Sequence, residues 1–141
     1  MFITRATRHD KPDIREFLDA HDWADANLDE GATFFARDGG IVGCVQFIEV
    51  EPRTVVVDDM VVDGSRRREG IGRSLMQAAM NSRGGTLYLC CHEEHLPFYA
   101  GLNFKQVPPE ELPGSVLEYL ARQGDHPAPE GHPPHHFMTA R

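Results

Sequence analysis

No apolar run in this chain of 141 residues approaches the ~20 residues a membrane-spanning helix needs. The N-terminus, MFITRATRHD, lacks the apolar core of a secretory signal. Positive charge is also short: 14 Lys and Arg against 22 Asp and Glu give a formal net charge of -8. That deficit argues against nucleic acid as the main partner, because phosphate binding needs a basic surface, and mildly favours a cationic small molecule. Cysteine is scarce and unpatterned, with Cys44 alone and Cys90 and Cys91 adjacent. An odd count without C-x-x-C spacing excludes a disulfide framework and fits a reducing compartment. These absences predict a cytoplasmic protein without a membrane segment.

What is present is ordinary for a globular chain: 40% hydrophobic and 26% charged residues, enough length for one domain over 1–141. Residues 2–7 read as a strand. Asp10 is placed to cap a helix with Ile14, Phe17 and Leu18 on one face and Pro12 in its first turn. The acidic stretch DWADANLDE reads as a loop. TFFARDGG and IVGCVQFIEV form a hairpin around Asp38, Gly39 and Gly40, which supply positive φ. TVVVDDMVV is a β-branched strand interrupted by Asp58 and Asp59. A helix follows with Ile71, Leu75, Met76 and Ala79 on one side, ended by Arg83, Gly84 and Gly85. TLYLCC is a strand that looks buried on both faces. LPFYAGLNF turns from a short helix into a strand, with Pro97 at its start and Asn103 able to adopt αL. SVLEYLARQ predicts another helix, GDHPAPEGHPP an irregular loop, and HHFMTA a last strand. This order predicts an α/β sandwich: a mixed, mostly antiparallel central sheet flanked by helices.

The stretch RRREGIGRS carries the chemistry. A helix start exposes unpaired backbone N–H groups and the positive end of the macrodipole. Gly70 and Gly72 let an anion approach that backbone closely, and Arg67, Arg68 and Arg73 add charged donors. The alternative is a glycine-rich connection behind a solvated arginine cluster. Two nucleotide motifs are excluded. No lysine follows the glycines as a P-loop requires, and Ser74 and Leu75 follow Gly72 without the third glycine of a Rossmann fingerprint. What fits is R-x-x-G-x-G, as Arg67, Arg68, Glu69, Gly70, Ile71 and Gly72.

In this feature the sequence resembles the GNAT (GCN5-related N-acetyltransferase) family. MVVDGSRRREGIGRSLM overlays its L-x-V-x-P-x-x-R-G-x-G-I-G element without a gap, with Gly64 for the usual proline and Arg68 for a common glycine. Downstream, FYAGLNF resembles the family's F-Y-x-x-L-G-F, with Asn103 in place of glycine. The resemblance covers roughly residues 2–107 and implies the acyl-CoA N-acyltransferase fold. It also implies acetyl-CoA as acyl donor, bound by a pyrophosphate cradle over residues 67–72, with Arg73 and Ser74 behind it and Met60, Val61 and Val62 along the pantetheine arm. Tyr99 falls where the family has a tyrosine near the CoA sulfur, as general acid or as orienting donor. The other reading is a core aromatic beside a packed Phe98.

An amine nucleophile must lose its proton, so a carboxylate within reach is expected as base. The resemblance favours Asp58, which aligns with the acid of family members reading E-D-L. By strand alternation Asp58 and Asp59 face opposite ways, and Glu49 is the reserve. A strand-end aspartate bonded to backbone is the competing reading of Asp58. His92 stands where the family often has asparagine near the pantetheine. Residues 110–134 read as an insertion before the last strand. Across that segment and the start of the last strand, His126, His132, His135 and His136 match no regular ligand spacing, so no metal is assigned. The expected activity is acetyl transfer to a small-molecule or amino-acid-like amine by direct attack in a ternary complex. Alternatives are a silent acyl-CoA-binding regulatory module and a protein lysine acetyltransferase. A homodimer paired through C-terminal edge strands is common in the family.

Overall fold

Seven strands and four helices make up the computed structural model, which describes residues Met1–Arg141. The elements are β1 (Phe2–Arg5), α1 (Lys11–Ala20), β2 (Ala32–Asp38), β3 (Gly40–Glu51), β4 (Thr54–Val62), α2 (Ile71–Asn81), β5 (Thr86–Cys91), α3 (Leu96–Ala100), β6 (Lys105–Gln106), α4 (Gly114–Arg122) and β7 (His136–Ala140). The sheet order is β1-β2-β3-β4-β5-β7-β6. It is mixed: β1–β2, β2–β3, β5–β7 and β6–β7 pair antiparallel, whereas β4 and β5 are parallel through Thr54, Val55 and Val56 opposite Thr86, Leu87 and Tyr88. A parallel pair needs a long crossover, which the α2 segment supplies. No helix is long and apolar enough to cross a membrane.

The chain divides into two compact units. The first comprises Met1–Ile48 and Val57–Gly84, the second Glu49–Val56 and Gly85–Arg141. In the first, Ile14, Phe17 and Leu18 of α1 pack with Leu28, Phe35, Cys44 and Val61. Helix α2 buries Ile71, Leu75, Met76 and Ala79, the face the 3.6-residue period marks. Its seat on the sheet depends on Gly43: a Cβ there would stand 3.0 Å from Leu75 Cδ1 and 3.2 Å from Ile71 Cγ2. In the second unit, α4 buries Val116, Tyr119 and Leu120, and β7 runs against β5 from Leu87 opposite Ala140 to Cys91 opposite His136.

Four sequence expectations change on contact with the structure. Asp10 occupies the N-cap position of α1 but does not cap it. Its Oδ2 accepts from the Thr7 N–H at 2.8 Å and from the Thr7 hydroxyl at 3.1 Å, locking the turn before the helix instead. Strand β5 buries Leu87, Leu89 and Cys91 while the alternate residues are only half-buried, so the run of apolar letters hid an ordinary two-faced strand. Phe98 packs only in part: its ring meets that of Tyr99 edge-on, yet it is 37% exposed. Asp59 has φ 55°, so the alternation that would place Asp58 and Asp59 on opposite faces is interrupted between them.

Candidate functional site

In the first unit, the segment from Asp63 to the start of α2 is built by local hydrogen bonds. The Asp63 carboxylate accepts from both the backbone N–H and the hydroxyl of Ser65 at 2.9 Å, which hold its carboxyl below the usual range. Residues Gly64–Arg66 form a single 3-10 turn, and the Gly64 position has open space around it, so nothing there demands proline.

Arg66 is not merely solvated. Its Nη2 donates to Asp38 at 2.7 Å, and its Nε donates to both oxygens of Glu69 at 3.0 Å. The guanidinium therefore braces the β2–β3 hairpin against the turn and offsets the Glu69 charge inside the glycine motif. That leaves Arg67 and Arg68 exposed and without ion pairs, with Arg73 exposed on the first helical turn.

Backbone conformation singles out this turn. Arg68 has φ 70° and Gly70 has φ 79°, with Gly70 at the α2 N-cap. A Cβ at Gly70 would meet nothing within 4 Å, so glycine is favoured by its torsion and not by crowding. The Ser74 N–H donates to Gly70 O at 3.0 Å, closing the first helical turn. The N–H groups of Ile71 and Gly72 precede that bond at the helix start, where no intrahelical carbonyl is in reach. The Ile71 side chain is buried in the core, so its backbone alone can serve a ligand. Of the strand residues named with this turn, Val61 is buried and Met60 and Val62 are half-buried.

Asp58 and Asp59 lie one step earlier on β4. Asp58 Oδ1 accepts the Asp59 N–H at 2.8 Å. Asp59 is held harder: Oδ1 accepts from Trp23 Nε1 at 2.9 Å and Oδ2 from Gln46 Nε2 at 3.0 Å. The Cys44 thiol lies 3.7 Å from the Asp59 carbonyl; burial, and then the Asp59 charge, push its pKa up to about 12. Gln46 is 1% exposed and its Oε1 has no partner. Thr33, directly across the β2–β3 ladder from Gln46, also buries an unpartnered hydroxyl. Two orphaned oxygens beside a fixed carboxylate mark a polar patch in a hydrophobic sheet. Gln46 and Trp23 were passed over in the sequence; a glutamine inside IVGCVQFIEV was the available signal. Glu49 is exposed at the far end of β3.

The DWADANLDE loop carrying Trp23 is pinned by Arg15, whose guanidinium donates to the carbonyls of Ala24 at 2.8 Å and Ala26 at 2.6 Å. Its Asp29 pairs with Lys11 at 2.7 Å. Part of the loop's negative charge is thus already neutralised.

In the second unit, Tyr99 on α3 is 8% exposed, its ring edge-on to Phe98 at 4.9 Å and to Phe104 at 5.8 Å. Its carbonyl accepts from the N–H groups of Leu102 and Phe104, with Asn103 at φ 70° between them. His92 is exposed at the start of the turn after β5, its ring stacked on His135 at 4.7 Å.

The domain family described as "Acetyltransferase (GNAT) domain" matches residues 29–106. No protein of curated function matches the sequence. Among solved structures, Rv2747 from Mycobacterium tuberculosis in complex with CoA and NLQ is 18% identical, with TM-score 0.70 over 99% of this chain and 98% of that one. N-acetylglutamate synthase from Neisseria gonorrhoeae, complexed with coenzyme A and N-acetyl-glutamate, is 16% identical with TM-score 0.69, over 100% of this chain but 35% of its own length. An aminoglycoside 6'-N-acetyltransferase complexed with coenzyme A is 20% identical with TM-score 0.69, covering 99% and 96%.

Proposed function

Because the chain belongs to the GNAT family of acetyltransferases, we propose that it moves an acetyl group from acetyl-CoA to the amine of a small-molecule or amino-acid-like acceptor. The observation that carries this reading is the turn opening α2. Positive φ at Arg68 and Gly70, the helix-start N–H groups of Ile71 and Gly72, and exposed arginines are what a pyrophosphate needs. Arg67, Arg68, Glu69, Gly70, Ile71 and Gly72 form the cradle, with Arg73 and Ser74 behind it. Met60, Val61 and Val62 take the pantetheine, and His92 is a further cofactor-binding donor.

The acceptor's neutral amine attacks the thioester carbonyl carbon. Asp58 takes the amine proton, the C–S bond breaks, and Tyr99 protonates the departing thiolate. Asp59, fixed by Trp23 and Gln46, orients the amine before it loses its proton. The fold-level neighbours support this choice of acceptor class: one was solved with N-acetyl-glutamate, and another is an aminoglycoside N-acetyltransferase.

The test is an acceptor screen with acetyl-CoA, read by free thiol release. Turnover with an amine that disappears in Asp58→Asn and falls in Tyr99→Phe, while CoA binding persists, is the expected outcome. Tight CoA binding with no acceptor-stimulated thiol release would refute it. Normal kcat in Tyr99→Phe would remove the general-acid role alone.

A further inference from the structure

Cys90 and His135 belong to the same surface of the second unit by register. Cys90 stands opposite Phe137 in the β5–β7 ladder, and His135 lies two residues before Phe137, the diagonal position on the same face. Asp125 arrives from the other side. It is fixed just past α4 by the bond from its N–H to Leu120 O at 2.9 Å, after Gly124 turns the chain at φ 77°. The three side chains are half-buried, and one ligand-type atom from each lies within 4.8 Å of the others. Nothing in the proposed acetyl transfer uses Cys90, Asp125 or His135.

The tautomer of His135 is set within the same group. Its Nδ1 lies 2.9 Å from the Asp125 carbonyl oxygen, which can only accept. Nδ1 therefore carries the proton, and Nε2 keeps its lone pair for a metal. A backbone carbonyl fixing the far nitrogen of a ligating imidazole is a common second partner of metal sites. The His92 ring, stacked on His135 at an interplanar angle of 29°, further restricts its rotation.

We propose that Cys90, Asp125 and His135 form a three-residue site for a borderline-soft divalent transition metal of the zinc class. One thiolate, one carboxylate and one neutral imidazole balance a dipositive ion, which suits a half-buried position. The sulfur and nitrogen donors favour zinc-like metals over magnesium or calcium. Tetrahedral bonds of about 2.0–2.3 Å put ligand atoms about 3.3–3.8 Å apart, so a group now within 4.8 Å has to contract by about 1 Å on binding. Three protein ligands leave the fourth position to water or a small ligand. Binding breaks the Cys90 S–H bond and forms a sulfur–metal bond, releasing that proton to solvent.

The full chain, stripped by a chelator and kept reduced, is titrated with Co²⁺ as the probe. One equivalent should bind with a thiolate-to-cobalt absorption band in the near ultraviolet, release about one proton at neutral pH, and be displaced by Zn²⁺. Cys90→Ser should abolish the band. Asp125→Asn and His135→Gln should weaken binding about tenfold or more, and His132→Gln should leave it unchanged. Absence of binding, binding without the band, or a band that survives Cys90→Ser would each overturn the proposal; the last would assign the thiolate to Cys91. Should Cys90→Ser not fold by circular dichroism, the wild-type band and the Asp125→Asn affinity decide the matter.

Discussion

Arg68 and Gly70 lend themselves to mirror-image substitutions. Both have positive φ, 70° and 79°, but only Gly70 is a glycine. An L-residue in αL costs about 1–2 kcal/mol from its Cβ. Glycine avoids that cost, yet loses about 0.5–1 kcal/mol more chain entropy on folding. The difference leaves Arg68→Gly more stable by about 0.5–1 kcal/mol, and Gly70→Ala less stable by a similar amount. Side-chain contacts do not confuse either comparison, because Arg68 is exposed without an ion pair and a Cβ at Gly70 would meet nothing within 4 Å. Urea unfolding at unchanged slope should therefore shift its midpoint in opposite directions, and Tm should rise about 2–4 °C in Arg68→Gly. Under the proposed function, the same variant binds CoA more weakly and with a shallower salt dependence, since one cation is gone. A midpoint for Arg68→Gly at or below that of the wild type, with the slope unchanged, would refute the strain argument. CoA affinity unaffected by salt or by the substitution would remove Arg68 from the cradle.

Thr33→Val replaces a buried, unpartnered hydroxyl with a methyl of similar shape, and should stabilise the chain by about 1–2 kcal/mol in urea unfolding. Destabilisation instead would mean that the hydroxyl serves a bound water or ligand. Burial pushes the Cys91 thiol up to about 11, and burial followed by the Asp59 charge puts Cys44 at about 12. An alkylating reagent at pH 8 should spare both in the native protein and label all three cysteines in denaturant; native labelling of Cys44, followed by mass spectrometry, would contradict its burial. Asp29 is held below the usual carboxylate range by the Lys11 hydrogen bond, Asp38 by that of Arg66, and Asp63 by the Ser65 backbone N–H. Their contribution is present above the unfolded carboxyl value of about 3.9 and is lost as pH falls through the lower folded values. The share of Tm that these three groups support should therefore be lost in that acid range, and added salt should weaken the part due to Asp29 and Asp38, which are exposed.

The elements were legible where one periodicity dominated. The buried residues of α1 and α2, the hairpin at Gly39 and the αL turn at Asn103 follow from spacing and turn chemistry alone. Illegible features were those in which a local bond competes with a positional preference. Asp10 has the right type and place for a cap, but the Thr7 N–H and hydroxyl lie behind it and take its carboxylate. Arg66 reads as the solvated member of the arginine run until Asp38, 28 residues earlier, is brought beside it. The polar patch of Asp59, Gln46, Thr33 and Trp23 draws on three strands and a loop, so no spacing announces it. The group of Cys90, Asp125 and His135 depends on the β5–β7 register in the same way.

The positions at which this chain departs from the family's glycines gain a physical meaning from the backbone. Arg68 and Asn103 both stand at φ 70°, the region where glycine is unstrained. The substitutions are not equivalent. Asparagine visits αL more readily than other non-glycine residues, so Asn103 keeps the turn after α3 at little cost. Arginine has no such compensation, and its exposed side chain makes no ion pair that would offset the strain. Asp59, also at positive φ, differs again: Trp23 and Gln46 clamp its carboxylate and over-determine the conformation. Among these three, Arg68 alone carries strain of about 1–2 kcal/mol that no intramolecular contact returns. A charge kept at that cost on the turn opening α2 is accounted for if an anionic ligand supplies the missing partner. The backbone geometry of this turn points to an anion separately from the match between R-x-x-G-x-G and a family motif.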